Sequence, residues 1–251
     1  MDNYFSFGNG KRIGIIIPGI SLKSVIGLKD SIIAQYKMFS SNYTFYLVDR
    51  SPNMKDGYTI SDMALDVIDF MDSHKIKDAY IISTSQGGMI ALSMAIKRPD
   101  LVKSMALLST AYKVSDDNYL SFSEWINLAK NNDIKSLIKA FSRMVYSTEF
   151  YNKYINLFLS MENTVSQNDI KRFIIMCEAM KGFNIESELY RIKSKSIVIA
   201  SERDMIFDAQ LSKKLSSIIN SCKYIYKDFS HAVYDEEPSC LRKVLDFFDT
   251  F

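Results

Sequence analysis

Ser85, Asp204 and His231 are residue types that together can activate a hydroxyl group, and they occur in a workable order. A serine hydroxyl is a poor nucleophile near neutral pH until a base takes its proton, normally a histidine that a carboxylate orients. The chain has two histidines. His231 follows the last predicted strand, whereas His74 ends a predicted helix. The pattern predicts nucleophilic catalysis, with Ser85 as nucleophile, His231 as base and Asp204 as the orienting acid.

The orienting acid has rivals close by in the sequence. Glu202 is still near the preceding predicted strand, and Asp208 is placed as a helix N-cap. Asp228, inside the last predicted strand, is expected to be a solvated surface charge. Asp204 is preferred because it lies in the loop between strand and helix, 27 residues before His231.

Ser85 itself lies in a very short connection between two apolar segments. Residues 79–82 form an apolar run typical of a buried strand, and apolar residues from Met89 onward recur at helical spacing. Only residues 83–88 remain for the turn. Such a turn projects the serine side chain beyond the carboxyl end of the sheet and directs the first free N–H groups of the helix there. A Ser/Gly-rich turn with a purely structural role is the alternative interpretation.

A tetrahedral intermediate on Ser85 requires two hydrogen-bond donors for its oxyanion. The N–H of Gln86, directly after the serine, is the first candidate. The second is the N–H of Ile20, in the loop that follows the first buried strand at Pro18 and Gly19.

The elements that position these residues alternate between strand and helix. Strands are predicted at 4–7, 12–17, 44–48, 79–82, 102–108, 196–200 and 223–229. Helices are predicted at 28–39, from Thr59 or Ser61 to 71, from 89 to 97, at 208–219 and at 238–248. Alternation of this kind predicts an α/β fold, with a mostly parallel sheet flanked by helices and ligands at the carboxyl ends of the strands.

The alternation stops between 121 and 180, where the pattern is helical and rich in aromatic residues. We interpret residues 112–187 as a helical cap inserted into a core formed by 1–111 and 188–251. Most of the aromatic residues are expected to pack in the cap, and some are expected to line a pocket.

Composition narrows the range of partners. The 251 residues are 47% hydrophobic and 24% charged, with a net charge of +2, so nucleic acid and acidic membranes are not indicated. Cys177, Cys222 and Cys240 are widely spaced, which argues against a disulfide framework or a zinc site. No signal peptide or membrane-spanning run is visible, and a cytoplasmic location is expected.

Residues 83–91 and 98–102 resemble the nucleophile elbow, its helix and the following turn in the α/β-hydrolase superfamily. Residues 201–204 and 230–231 are similar to the acid and histidine loops of its small capped carboxylesterases and enol-lactonases. Two departures stand out. Pro18 occupies the position of a usual histidine, and serine replaces the usual glycine at Ser83, Ser201 and Ser230.

The resemblance implies a serine hydrolase that cleaves an ester, thioester or related acyl bond of a small, partly apolar molecule. No metal or organic cofactor is implied, and the oligomeric state stays open. Two alternatives use the same fold. One is a carbon–carbon bond hydrolase or lyase with the same triad, and the other is a non-catalytic small-molecule receptor, which the Pro18 departure favours.

Overall fold

The computed structural model describes residues 3–250, and within them seven strands form one sheet. The strands are β1 (Tyr4–Gly8), β2 (Arg12–Ile17), β3 (Tyr43–Val48), β4 (Ala79–Thr84), β5 (Val102–Leu108), β6 (Lys195–Ser201) and β7 (Cys222–Tyr226). Their spatial order is β1-β3-β2-β4-β5-β6-β7, with β1 antiparallel to β3 and every other pair parallel. The predicted α/β fold with a mostly parallel sheet is confirmed.

The central strands are buried because their sequences are continuously apolar. All six residues of β4 are buried, and β5 and β6 are buried over most of their length. Runs without apolar–polar alternation are typical of parallel strands that are covered on both faces. Because β2, β4, β5 and β6 are parallel neighbours, their carboxyl ends lie side by side at one edge of the sheet.

Helices cover both faces of the sheet. They are α1 (Lys29–Gln35), α2 (Ile60–Ser73), α3 (Gln86–Lys97), α4 (Asp116–Lys130), α5 (Ile134–Val145), α6 (Thr148–Leu159), α7 (Gln167–Glu178), α8 (Ala209–Ile218), α9 (Val233–Glu236) and α10 (Ser239–Phe248). Of the two N-caps proposed for α2, the structure uses Thr59, in a capping box with Asp62. The sequence did not predict the single turn α9.

Two predicted elements differ from the structure. The helix predicted at 28–39 is divided, because Tyr36 leaves the helical conformation and a short 3-10 turn, Lys37–Phe39, buries Phe39 completely.

The last strand ends at Tyr226 and not at 229. Tyr226 pairs with Ser201, the last residue of β6, so residues beyond it have no neighbouring strand. Asp228 therefore lies outside the strand. Its exposed carboxylate forms an ion pair with Arg203 at 3.0 Å.

Helices α4–α7, called here the inserted helices, lie between β5 and β6 in the chain. A short antiparallel bridge joins the two ends of this segment, where Lys113 pairs with Asn184. The Val114 N–H donates to the Phe183 carbonyl at 2.8 Å, and the Ile185 N–H donates to the Tyr112 carbonyl at 3.0 Å. Both ends of the insertion consequently leave the sheet at one place.

Residues 3–250 contain no helix with the length and apolar character required to cross a bilayer.

Helix α3 packs very closely against the end of β2 at Gly87. A Cβ atom there would lie 2.1 Å from the carbonyl oxygen of Ile17 and 2.6 Å from that of Pro18. Backbone atoms cannot move aside as a flexible side chain can. Only glycine therefore allows this approach of helix to strand.

We predict that Gly87→Ala lowers the free energy of unfolding by about 1–3 kcal/mol, because the new methyl group forces the helix away from β2. Urea unfolding followed by circular dichroism measures the loss. Gly27→Ala is the matched control, since no atom lies within 4 Å of a Cβ at that position. Equal unfolding midpoints for the two variants would contradict the proposed packing constraint.

Candidate active site

Ser85 occupies the single residue between β4 and α3, in a backbone conformation that is unfavourable for serine. Its φ is 51° and its ψ is −123°. Conformations of this kind cost about 1–3 kcal/mol and persist only where neighbours enforce them. The N–H of Ser85 donates to the Leu108 carbonyl at 2.9 Å, and the Thr110 hydroxyl donates to the Ser85 carbonyl at 2.7 Å. The end of β5 thus holds the turn in place.

Ser83, one of the replacements of glycine, fits this turn because its hydroxyl has an acceptor. Ser83 is fully buried, and its Oγ donates to the Ala106 carbonyl on β5 at 3.0 Å. A buried hydroxyl without a partner would be costly, and this bond removes that cost.

Asp204 and His231 form a buried hydrogen-bonded pair. His231 Nδ1 lies 2.8 Å from Asp204 Oδ2, and the side chains are 2% and 1% exposed. The other carboxylate oxygen of Asp204 accepts from the N–H groups of Ile206 at 2.8 Å and Phe207 at 2.9 Å. These bonds fix the carboxylate in one orientation. His231 Nε2 is buried and has no hydrogen-bond partner among residues 3–250.

Several contacts hold the loop that carries His231. The Ser201 hydroxyl donates to the carbonyl of Phe229, and the Ser230 hydroxyl donates to the carbonyl of Met144 at 3.3 Å. The side chain of Tyr234 contacts that of Thr84, the neighbour of Ser85. The serines that replace glycine at 201 and 230 therefore both bond to backbone around the histidine.

Gln86 follows Ser85 directly, and the loop that carries Ile20 passes close to Ser85. A Cβ atom on Gly19 would be 3.1 Å from the Ser85 Cβ and 3.4 Å from the Thr84 carbonyl oxygen, so the loop after β2 runs directly past the serine. Within the described part of the chain, neither the Ile20 N–H nor the Gln86 N–H has a hydrogen-bond acceptor.

The rival residues have other surroundings. Glu202 is solvent-exposed and lies 3.7 Å from Lys213. Asp208 is the N-cap of α8, as predicted, and accepts from the Gln210 N–H at 2.7 Å. His74 is at the C-terminal end of α2, where its Nδ1 lies 2.8 Å from the Phe70 carbonyl.

Sequence reasoning missed a buried group of charges next to the site. Arg50 Nη2 donates to the Pro18 carbonyl at 2.6 Å and to Gln86 Oε1 at 3.2 Å. Arg172 on α7 donates through Nη2 to both carboxylate oxygens of Asp49, at 2.7 and 2.8 Å. The only available signal was the position of the Asp49–Arg50 pair directly after a buried strand.

Burial disfavours the charge on Arg50. It lowers the pKa of Arg50 to about 10, an effect to which the like charge of Arg172 adds and which Asp49 opposes. Arg50 is therefore still cationic at neutral pH.

The inserted helices contact the start of α3 and the loops that carry Asp204 and His231. Gln86 Nε2 donates to the Met176 carbonyl on α7 at 2.7 Å. The Asn118 side chain on α4 donates to the Ile206 carbonyl at 2.9 Å, beside Asp204. The Ala232 N–H donates to the carbonyl of Val145 at the end of α5, at 2.8 Å. Ser85 itself is 9% exposed.

Comparison with known proteins agrees with this architecture. A family model described as the alpha/beta hydrolase fold matches residues 34–238. The chain belongs to the α/β-hydrolase family. It is 23% identical over 203 residues to the putative carbamate hydrolase RutD of Stutzerimonas stutzeri, which covers 76% of this chain and 74% of that protein.

Two crystal structures have the same fold. MGS-M2, an α/β-hydrolase enzyme from a Medee basin deep-sea metagenome library, superposes with a TM-score of 0.88 at 21% identity, over 98% of this chain and 93% of that one. The enol-lactonase from Burkholderia xenovorans superposes with a TM-score of 0.84 at 18% identity, over 98% of this chain and 95% of that one. The predicted membership of the α/β-hydrolase superfamily is confirmed.

The buried pair Arg172–Asp49 generates a stability prediction. Arg172→Met leaves the Asp49 carboxylate without its strongest partner, and loss of one member of a buried ion pair costs about 3–5 kcal/mol. Because Arg50 remains close to Asp49, we expect the lower end of that range. Urea unfolding measures the change.

Arg242→Met is the matched control, because Arg242 pairs with Asp246 at 3.0 Å on the surface, where both side chains are more than half exposed. Exposed pairs contribute little to stability. An Arg172→Met protein as stable as Arg242→Met would refute a structural role for the buried pair.

Proposed function

We propose that this protein is a serine hydrolase that cleaves an ester, thioester or related acyl bond through an acyl-serine intermediate on Ser85. The observation that carries the proposal is the buried hydrogen bond between His231 Nδ1 and Asp204 Oδ2, at 2.8 Å. It commits Nδ1 of the imidazole to the carboxylate and leaves Nε2 available to act as a base.

In the proposed first step, His231 Nε2 takes the proton of Ser85 Oγ while Oγ bonds to the acyl carbon. The carbonyl oxygen then carries the negative charge, and the N–H groups of Ile20 and Gln86 stabilise it. The tetrahedral intermediate collapses, the bond to the leaving group breaks, and the leaving group receives the proton from His231.

In the second step, water attacks the acyl-serine. His231 takes a proton from the water, and the second tetrahedral intermediate collapses. The acid product leaves, and Ser85 Oγ regains its proton from His231. The proposal requires no metal or organic cofactor.

The proposed substrate is small and partly apolar. We propose that residues 112–187 form a cap over the site and that their aromatic side chains contribute to its lining. Two inserted-helix aromatics, Phe122 and Trp125, are in edge contact, and Phe122 also approaches Phe207, whose ring lies 5.6 Å from that of His231. An apolar acyl or alkyl group fits such surroundings. Proteins similar to this chain include one named as a putative carbamate hydrolase and one named as an enol-lactonase.

Carbon–carbon bond hydrolysis or lyase chemistry by the same residues is the rival enzymatic hypothesis, and it predicts turnover of dicarbonyl or cyanohydrin-like compounds in preference to simple esters. The receptor hypothesis was based on Pro18 in place of the usual histidine. The Pro18 carbonyl accepts a hydrogen bond from Arg50, so the loop is supported by another residue.

A cytoplasmic location stays a prediction.

We predict that the wild-type protein forms a single covalent adduct with a fluorophosphonate probe, detected by intact mass, and that Ser85→Ala forms none. Turnover of an activated ester should fall roughly 10⁴- to 10⁶-fold in Ser85→Ala and in His231→Ala, the scale of other triad deletions. Circular dichroism verifies that the variants remain folded.

Ser93→Ala is the control for loss of a serine hydroxyl on α3, two turns beyond Ser85, and should be labelled like the wild type. No adduct on folded wild-type protein would favour the receptor hypothesis. Retained activity in Ser85→Ala or His231→Ala would refute the assignment of that residue.

A further inference from the structure

Arg50 connects the two segments that carry the proposed oxyanion donors. It follows β3 directly and is 5% exposed. Its Nη2 donates to the carbonyl of Pro18, two residues before Ile20, at 2.6 Å. Its Nη2 and Nε also reach Gln86 Oε1, at 3.2 and 3.4 Å. One planar guanidinium thus bonds to the loop after β2 and to the residue after Ser85.

The partners of Arg50 are themselves held in place. Gln86 Nε2 donates to the Met176 carbonyl at 2.7 Å, which turns the amide oxygen of Gln86 toward Arg50. Asp49 Oδ1 accepts from the Arg50 N–H at 2.8 Å. Asp49 Oδ2 accepts from the Ser24 hydroxyl at 2.7 Å and from the Val25 N–H at 3.1 Å. The loop 18–25 is therefore bonded at its start by Arg50 and at its end by Asp49.

We propose that Arg50 is a positioning residue that sets the distance and direction between the two oxyanion donors, an inference that rests on the proposed serine-hydrolase function. Pro18 has no side chain able to hydrogen-bond, so its carbonyl is what it offers to a neighbouring segment, and Arg50, after β3, donates to it. Arg50 acts through the Pro18 carbonyl and the Gln86 side chain and does not touch the substrate.

The geometry gives the expected size of the effect. Loss of one oxyanion donor costs about 10²- to 10³-fold in kcat, and misplacement by 1 Å costs about 10²-fold. Arg50→Met retains both N–H groups but frees the loop and the Gln86 side chain. We therefore expect a decrease of roughly 10- to 100-fold in kcat, with KM changed only a few-fold. Lysine offers a compact ammonium and not a planar fork, so Arg50→Lys should recover part of the loss.

The test compares wild type, Arg50→Met, Arg50→Lys and Arg191→Met. Arg191 is the matched control, because its Nη2 also donates to a backbone carbonyl, that of Ile96, at the opposite end of α3 at 3.3 Å. The first measurement is the second-order rate of labelling by a fluorophosphonate. The second is kcat and KM for p-nitrophenyl acetate, together with the inhibition constant of an alkyl trifluoromethyl ketone.

A trifluoromethyl ketone distinguishes positioning from general structural damage, because its hemiketal with Ser85 places an oxyanion in the same site. Its affinity should weaken in parallel with kcat in Arg50→Met, and both should be intermediate in Arg50→Lys. Arg191→Met should match the wild type in every measurement. Unchanged kcat, labelling rate and ketone affinity in Arg50→Met would overturn the inference while leaving the proposed function intact.

A wild type that is not labelled would overturn the proposed function and this inference with it. If Arg50→Met does not fold, Arg50→Lys and Gln86→Leu carry the test, since Gln86→Leu removes the amide from Arg50 but keeps the backbone N–H. Wild-type kinetics and ketone affinity in both of these variants would likewise overturn the inference. When Arg50→Met folds, we also expect the decrease in kcat of the double variant Arg50→Met/Gln86→Leu to be smaller than the product of the two single decreases. Both changes break the same hydrogen bonds between Arg50 and Gln86.

Discussion

The turn at Ser85 is the constraint around which the rest of the structure is arranged. Its backbone is in the left-handed region, at φ 51°, and two hydrogen bonds maintain it, one donated to the Leu108 carbonyl and one accepted from the Thr110 hydroxyl. Helix α3 begins at the next residue, so its first N–H groups point toward the space that the Ser85 side chain enters. The turn therefore depends on β5 and on the close approach of Gly87 to β2, and not on its own residues alone.

The buried charges of Asp49, Arg50 and Arg172 unite segments that are distant in the sequence. Charges inside a protein lose their hydration, and apolar residues of the same size would usually be as stable or more so. What the charges add here is geometry. Arg50 bonds to the loop after β2 and to Gln86, the residue after Ser85. Arg172 on α7 bonds to Asp49, the residue before Arg50. The loop after β2, the elbow and α7 consequently share one set of contacts.

Ser83, Ser201 and Ser230 show how a family pattern tolerates change at glycine. Each hydroxyl donates to a backbone carbonyl of a neighbouring element: Ala106 on β5, Phe229 after β7, and Met144 on α5. The added side chain thus forms a new bond where space allows it. At Gly87, by contrast, an added Cβ atom would overlap with the backbone carbonyls of Ile17 and Pro18. A side chain at this position would therefore displace α3 from β2.

The sequence by itself determined the order of strands and helices, because continuous apolar runs specify buried parallel strands and helical spacing specifies the rest. It also singled out Ser85 and His231, the first by its tight turn and the second because histidine is so rare in this chain. The sequence also favoured Asp204 over its neighbours, and the tertiary structure places this residue against His231. Only the tertiary structure gave Arg50 its contacts with Pro18 and Gln86. Such bonds join loops that are far apart in the sequence and become neighbours only when the chain folds. The periodicity of a local segment contains no information about these long-range contacts.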